Sequence, residues 1–207
     1  MKFLPALTLL LAALSPALHA QDTETLVCFR HGEKPAVEIG QINAQGFNRA
    51  LALPDVLVAH YGQPGFLFAP NPVQDLIGGK KGVPFSDYLR PLATIEPTAI
   101  KLGLPVNTSF GFKHIADLET ELMSPKYHQA VVFVCWEHHL LANFLQKISS
   151  DVNHQPAAAV DWPSSDYDSV YVVKITYAAG GGATLTLAHE QEGLNGQSGT
   201  FPSPAKL

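Results

Sequence analysis

Val27–Pro35 reads VCFRHGEKP, and Val134–Leu141 reads VCWEHHLL. Each begins as an apolar run of strand-forming residues and breaks at a charged residue followed by histidine. In the first, Gly32 follows the histidine and permits a sharp turn out of the strand. The second is preceded by more of the same: AVVFVCW, Ala130–Trp136, is apolar without alternation, which predicts a central strand buried on both faces. If the two runs are parallel neighbours, Arg30 and His31 meet Glu137 and His138 at the carboxyl edge of one sheet. Open α/β sheets collect their ligands at that edge. Aligning the two Val-Cys pairs in matching register sets Cys28 level with Cys135 and selects His138 over His139 as the partner of His31.

Working outward, the chain alternates between elements. Ile42–Gly62 has helical spacing, with Asn43 as cap, Pro54 as a break and Gly62 as stop. GFLFAPNP, Gly65–Pro72, is a second strand ended by its prolines, and Val73–Asp87 is a glycine-rich surface loop. Tyr88–Gly103 returns to helix with Pro91 in its first turn, LPVNT is a brief strand, and Phe112–Met123 and His138–Ser149 are helices. SVYVVKITYA, Ser169–Ala178, and ATLTLAHE, Ala183–Glu190, form a hairpin before an irregular tail. This order predicts an α/β three-layer sandwich: a mostly parallel central sheet with helices on both faces.

The chain has 207 residues, 46% of them hydrophobic, enough for one core of ordinary domain size. Its formal charge is -5, with 13 Lys+Arg against 18 Asp+Glu and no basic run, so nucleic acid is excluded as a partner. Residues 1–20 are different in kind. Lys2 precedes the apolar run FLPALTLLLAALSPALHA, which ends on Ala20 and reads as a secretory signal peptide. The mature chain is then a single domain over 21–207, periplasmic or secreted. No later segment is apolar for long enough to cross a bilayer, so no stable membrane insertion is expected. The two cysteines, Cys28 and Cys135, are either a disulfide or buried free thiols, and the second is the plainer reading.

An arginine and two histidines at one sheet edge suit a phosphate or carboxylate, because a guanidinium grips paired oxygens by two hydrogen bonds. A metal site is the rival use. His138 and His139 point apart if they lie on an extended strand, and there is neither a His-Glu-X-X-His run nor a cysteine pair at zinc spacing. No metal and no cofactor are expected.

RHGEKP after a first strand resembles the signature of the histidine phosphatase superfamily, the phosphoglycerate mutase-like fold. The resemblance continues in order. INAQGFNRA is similar to the family helix that follows, with Gly46 and Ala50 in register, and LRPLATIEPTA resembles the second arginine motif through Arg90 and Thr94. VVFVCWEHH stands where the second histidine strand belongs. The resemblance implies His31 as nucleophile, Arg30 and Arg90 as phosphate-binding residues and His138 as the residue completing the pocket. It also implies an exported phosphomonoesterase of the histidine acid phosphatase type, acting through a phosphohistidine. Its substrate is a small-molecule phosphomonoester or a phosphorylated peptide.

The chain departs from the family pattern in having Trp-Glu-His-His where relatives have Ser-His-Gly or Thr-His-Gly. The proton donor is therefore open among Glu137, Asp117, Glu119 and Glu121, and Glu137 has an alternative use as an ion-pair partner of Arg30. Glu33 and Lys34 line the pocket mouth or form a solvated loop pair. Two other functions remain beside the hydrolase: a phosphate- or phospholigand-binding protein on the same fold without turnover, and a phosphomutase, which the leader disfavours.

Overall fold

The two histidine-bearing runs are parallel neighbours. In the computed structural model, which describes residues 22–80 and 82–203, Asp22–Arg30 (β1) pairs with Val131–Trp136 (β4). The secretory signal expected over residues 1–20 lies outside the described residues. Phe66–Phe68 (β2) and Val106–Asn107 (β3) extend the sheet in parallel on the far side of β4. Ser169–Tyr177 (β5) and Ala183–Gln191 (β6) add an antiparallel hairpin beside β1, giving the order β3-β2-β4-β1-β5-β6. The sheet is thus mostly parallel, and both β1 and β4 are interior.

Alternate residues of the central strands feed two cores. Leu26, Cys28, Val132, Val134 and Trp136 pack with helices Ile115–Leu122 (α3) and His138–Asn153 (α4). Val27, Phe29, Phe133 and Cys135 pack on the other face with Ala44–Tyr61 (α1) and Arg90–Leu102 (α2). Each fully buried Leu or Phe here contributes about 1.5–3 kcal/mol by leaving water. The three expected layers are present.

The register differs from the expected one. Cys28 lies opposite Val134, and Phe29 opposite Cys135, so the two Val-Cys pairs are offset by one residue. Because side chains alternate faces, a one-residue offset sends the two sulfurs to opposite sides of the sheet. Both cysteines are buried and free.

Asn43 caps α1 as its sequence predicts, accepting from Gly46 N–H at 2.9 Å, and Gly62 ends the helix at φ 80°. Pro54 does not break it. The helix continues through the proline with Leu53, Pro54 and Leu57 buried, so packing outweighs the roughly 3 kcal/mol an interior proline costs. At the far edge of the sheet, the Asn153 side-chain amide takes both backbone groups of Leu185, donating to its carbonyl at 2.9 Å and accepting its N–H at 2.8 Å. This occupies part of the open edge of β6. Among the described residues no helix is long and apolar enough to cross a membrane.

Candidate active site

His31 sits where β1 ends. Its N–H still pairs with the Trp136 carbonyl at 3.2 Å, after which Gly32 turns the chain toward α1. The turn is tight against the helix: a Cβ on Gly32 would lie 2.9 Å from Gly46 Cα, and one on Gly46 would lie 2.5 Å from the Glu33 carbonyl oxygen. Neither position has room for a side chain. The spacing of Arg90 and Thr94 now has a physical reason. Thr94, one turn along α2, accepts the Gly32 N–H at 2.9 Å and donates to the Arg90 carbonyl at 2.8 Å. One helix face therefore ties the histidine loop to the second arginine.

The His31 Nδ1 lies 2.8 Å from the Gly32 carbonyl, which can only accept, so Nδ1 carries the proton and Nε2 offers its lone pair. Burial, then the Arg90 charge and, more weakly, that of Arg30, hold this imidazole well below its ordinary pKa and keep it neutral. A neutral imidazole with a fixed tautomer and a free nitrogen is the form that attacks phosphorus.

Two arginines flank it, each laid over a tyrosine. Arg30 stacks on Tyr167, with Cζ 3.8 Å from the ring centroid, and donates through Nη1 to the Ser164 and Asp166 carbonyls at 2.8 and 2.7 Å. Arg90 lies 4.7 Å over Tyr88 and pairs with Glu38. The two tyrosine rings approach His31 edge-on at 6.0 and 6.2 Å. Burial raises the Tyr88 phenol, which remains protonated.

His138 reaches this edge as the first residue of α4, not as the end of a strand. It is 5% exposed, with Nε2 3.3 Å from the Ser164 hydroxyl, whereas His139 is exposed. Glu137 does not pair with Arg30. Its carboxylate accepts the Leu140 N–H at 2.9 Å as the α4 cap and lies 2.7 Å from His138 Nδ1, though off the line of a formed hydrogen bond. Burial acts to raise the Glu137 carboxyl, but His138 and the Leu140 and His139 N–H groups outweigh it and bring it down to about 2. A carboxylate so committed is a poor proton donor.

Asp117, Glu119 and Glu121 are engaged elsewhere. Asp117 faces His114 at 3.2 Å, Glu119 pairs with Lys147 at 2.8 Å, and Glu121 accepts from Tyr127 at 2.5 Å. The reason is the packing of α3, which buries Leu118 and Leu122 in the core with α4 and turns its acidic side chains to Lys147, Tyr127 and His114. Glu33 and Lys34 are not a pair: Glu33 is buried against Arg49, and Lys34 joins Glu38 at 2.8 Å. Because the chain turns into α4 at His138, the His138 and His139 rings approach to 3.9 Å between centroids, tilted by 35°, instead of diverging. With Glu137 their ligand atoms lie within 4.8 Å of one another. They could offer three donors to a cation, but at the positive end of α4.

Sequence reasoning missed Glu38, Tyr88, Tyr167 and the Ser164–Asp166 turn. The turn had a signal: β5 is antiparallel to β1, and the segment entering such a strand shares an edge with the ends of its parallel neighbours. Four of the eight buried polar side-chain atoms left without a partner among the described residues converge here, on Arg30 Nε, Tyr88 Oη, Arg90 Nε and His138 Nδ1. Buried donors are rarely left unmatched, and a cluster of them marks a place built for a ligand.

No family model matches the sequence, and no curated protein matches it. Solved structures do. A proposed phosphohistidine phosphatase, SixA, from Nakamurella multipartitia is similar at 16% identity with a TM-score of 0.51, over 81% of this chain and 96% of that one. A mycobacterial glucosyl-3-phosphoglycerate phosphatase with inorganic phosphate aligns at 13% identity and a TM-score of 0.46, over 80% and 95% of the two chains. A proposed SixA from Agrobacterium tumefaciens aligns at 10% identity and 0.42, over 74% and 92%. With its strand order and its helices on both faces, the chain has the phosphoglycerate mutase-like fold.

Proposed function

We propose that the protein is an exported phosphomonoesterase that forms a phosphohistidine at His31. The observation that carries this reading is the cluster of unpartnered buried donors around a neutral, tautomer-fixed imidazole. A phosphoryl group among Arg30, Arg90 and His138 gives the two guanidinium donors and the Tyr88 hydroxyl their acceptors, while His138 Nδ1 keeps Glu137 behind it. His31 Nε2 attacks phosphorus in line with the departing oxygen, and the guanidiniums meet the charge that develops on the equatorial oxygens. Water then cleaves the phosphorus–nitrogen bond. The mechanism calls for no metal ion, and export rests on Lys2 and the apolar run behind it.

The test is turnover of p-nitrophenyl phosphate in excess chelator, with trapping of an acid-labile, base-stable phosphoprotein in the first turnovers. Turnover abolished by chelator would refute the mechanism. Phosphate binding without product release would leave a binding protein. Histidine variants sharpen the assignment. His138→Ala should lose roughly a hundredfold or more in kcat, as expected for a group acting on the transferring phosphoryl, while exposed His139→Ala keeps about a tenth or more. The reverse ranking would move the second histidine by one position.

A further inference from the structure

We infer that Glu38 is the group that protonates the leaving oxygen and then deprotonates the attacking water, entering the reaction from its ion pair with Arg90. The inference rests on the phosphohistidine reading and supplies the proton carrier it lacks. Among the described residues, Glu38 alone places a side-chain carboxylate on a guanidinium of the site. The other carboxylates nearby are tied down. Glu137 caps α4 and faces His138. Glu33, Asp168 and Glu192 surround buried Arg49. Asp166 takes the Ser169 hydroxyl and the Asp168 and Ser169 N–H groups. None can hand over a proton without undoing a helix cap, a turn or a buried network.

Glu38 is free to act. Its side chain is 33% exposed, on the loop between His31 and α1, so it can exchange protons with water. That loop is braced at Gly40, whose carbonyl accepts the Leu89 N–H at 3.0 Å, and this keeps Glu38 beside the start of α2. The charged groups touching it are Arg90 from α2 and Lys34 from its own loop. Burial acts to raise Glu38, but Lys34 and Arg90 hold it below its ordinary range, as the anion. A phosphate dianion arriving at Arg90 takes over the guanidinium and places negative charge beside the carboxylate. Two anions at one guanidinium repel, and the weaker base of the resting site becomes the stronger one, so Glu38 takes up a proton.

The steps then balance. The Nε2 lone pair of His31 forms the bond to phosphorus, the phosphorus–oxygen bond breaks, and its electron pair on the departing oxygen receives the Glu38 proton. The alcohol leaves. A water oxygen attacks phosphorus while Glu38 takes its proton, and the phosphorus–nitrogen pair returns to Nε2. Phosphate is released and Glu38 ends protonated, losing the proton to solvent as Arg90 reclaims it.

Glu38→Gln tests this with two substrates: glycerol phosphate, whose alkoxide leaves poorly, and p-nitrophenyl phosphate, whose phenolate leaves without help. We expect kcat/KM for glycerol phosphate to fall about a hundredfold or more. The p-nitrophenol burst should stay within about threefold of wild type, with phosphorylated His31 accumulating because its hydrolysis has lost the base. Equal losses on both substrates, or none, would overturn the role of Glu38. A gain on both would show a carboxylate that merely competes with phosphate for Arg90, and would overturn it too. Failure of the wild type itself to form a phosphoprotein would sink the phosphohistidine reading, a different result from any of these.

Discussion

His31→Ala should reduce phosphomonoester turnover by about 10⁴-fold or more while leaving phosphate affinity within roughly an order of magnitude. The asymmetry follows from the geometry. Arg30 keeps its carbonyl anchors at Ser164 and Asp166, Arg90 keeps Thr94 behind it, and neither depends on the imidazole. Removing the ring removes the proposed nucleophile and leaves the grip. Isothermal titration with inorganic phosphate, beside steady-state kinetics and trapping of the phosphoprotein, separates the two quantities. Wild-type turnover in the variant would eliminate His31 as nucleophile. A collapse of phosphate binding together with turnover would make it a ligand-binding residue instead.

Arg49→Met should destabilise the fold by about 3–5 kcal/mol at pH 7, the range for removing one partner of a buried charge group. Arg49 is fully buried and holds three carboxylates: Glu33 at 2.7 Å, Asp168 at 3.0 Å and Glu192 at 2.5 Å. Burial already raises the Glu192 carboxyl to about 8 against the pull of Arg49. Without the guanidinium Glu192 loses the charge that pulls its carboxyl down, and its folded-state pKa rises further. A carboxyl raised above its unfolded value contributes stability at low pH and loses it as pH rises through the folded value. The deficit of the variant should therefore grow between pH 7 and pH 9, on either side of the Glu192 value of about 8. Urea unfolding at the two pH values measures it; a loss below about 1 kcal/mol at both would show that the cluster is not a keystone. Activity should suffer as well, because Glu33 directly follows the turn that sets His31.

The neighbouring placement of β1 and β4 was legible because two apolar runs with few polar positions can only be buried centrally. Their register was not. The repeated Val-Cys pair suggests aligned cysteines, but a repeat of residue types does not fix a ladder, and the observed offset by one sends the sulfurs to opposite faces. His138 nevertheless reaches the site, because β4 ends at Trp136 and the first turn of α4 carries the next residues inward. Arg30, His31, Arg90 and Thr94 could be found because they sit at fixed offsets on regular elements. Glu38, Tyr88 and Tyr167 lie on connecting segments, where no periodicity announces which side chain will turn inward. Pro54 misled for a related reason: local propensity predicted a break, and the packing of Leu53 and Leu57 overrode it.

The strand order also sets when the protein can come into being. β1 is the first strand of the described chain, yet its two neighbours pair it through Val131–Trp136 on one side and Val170–Tyr177 on the other. A growing chain on the ribosome thus exposes an apolar strand, with His31 at its tip, long before either partner has been synthesised. Pairings so distant in sequence form slowly and leave bare strand edges meanwhile. Arg30 waits on carbonyls at Ser164 and Asp166, and the Arg49 cluster that steadies the His31 turn waits on Glu192. The site that begins with Arg30 is completed only by residues translated 134 positions later and beyond.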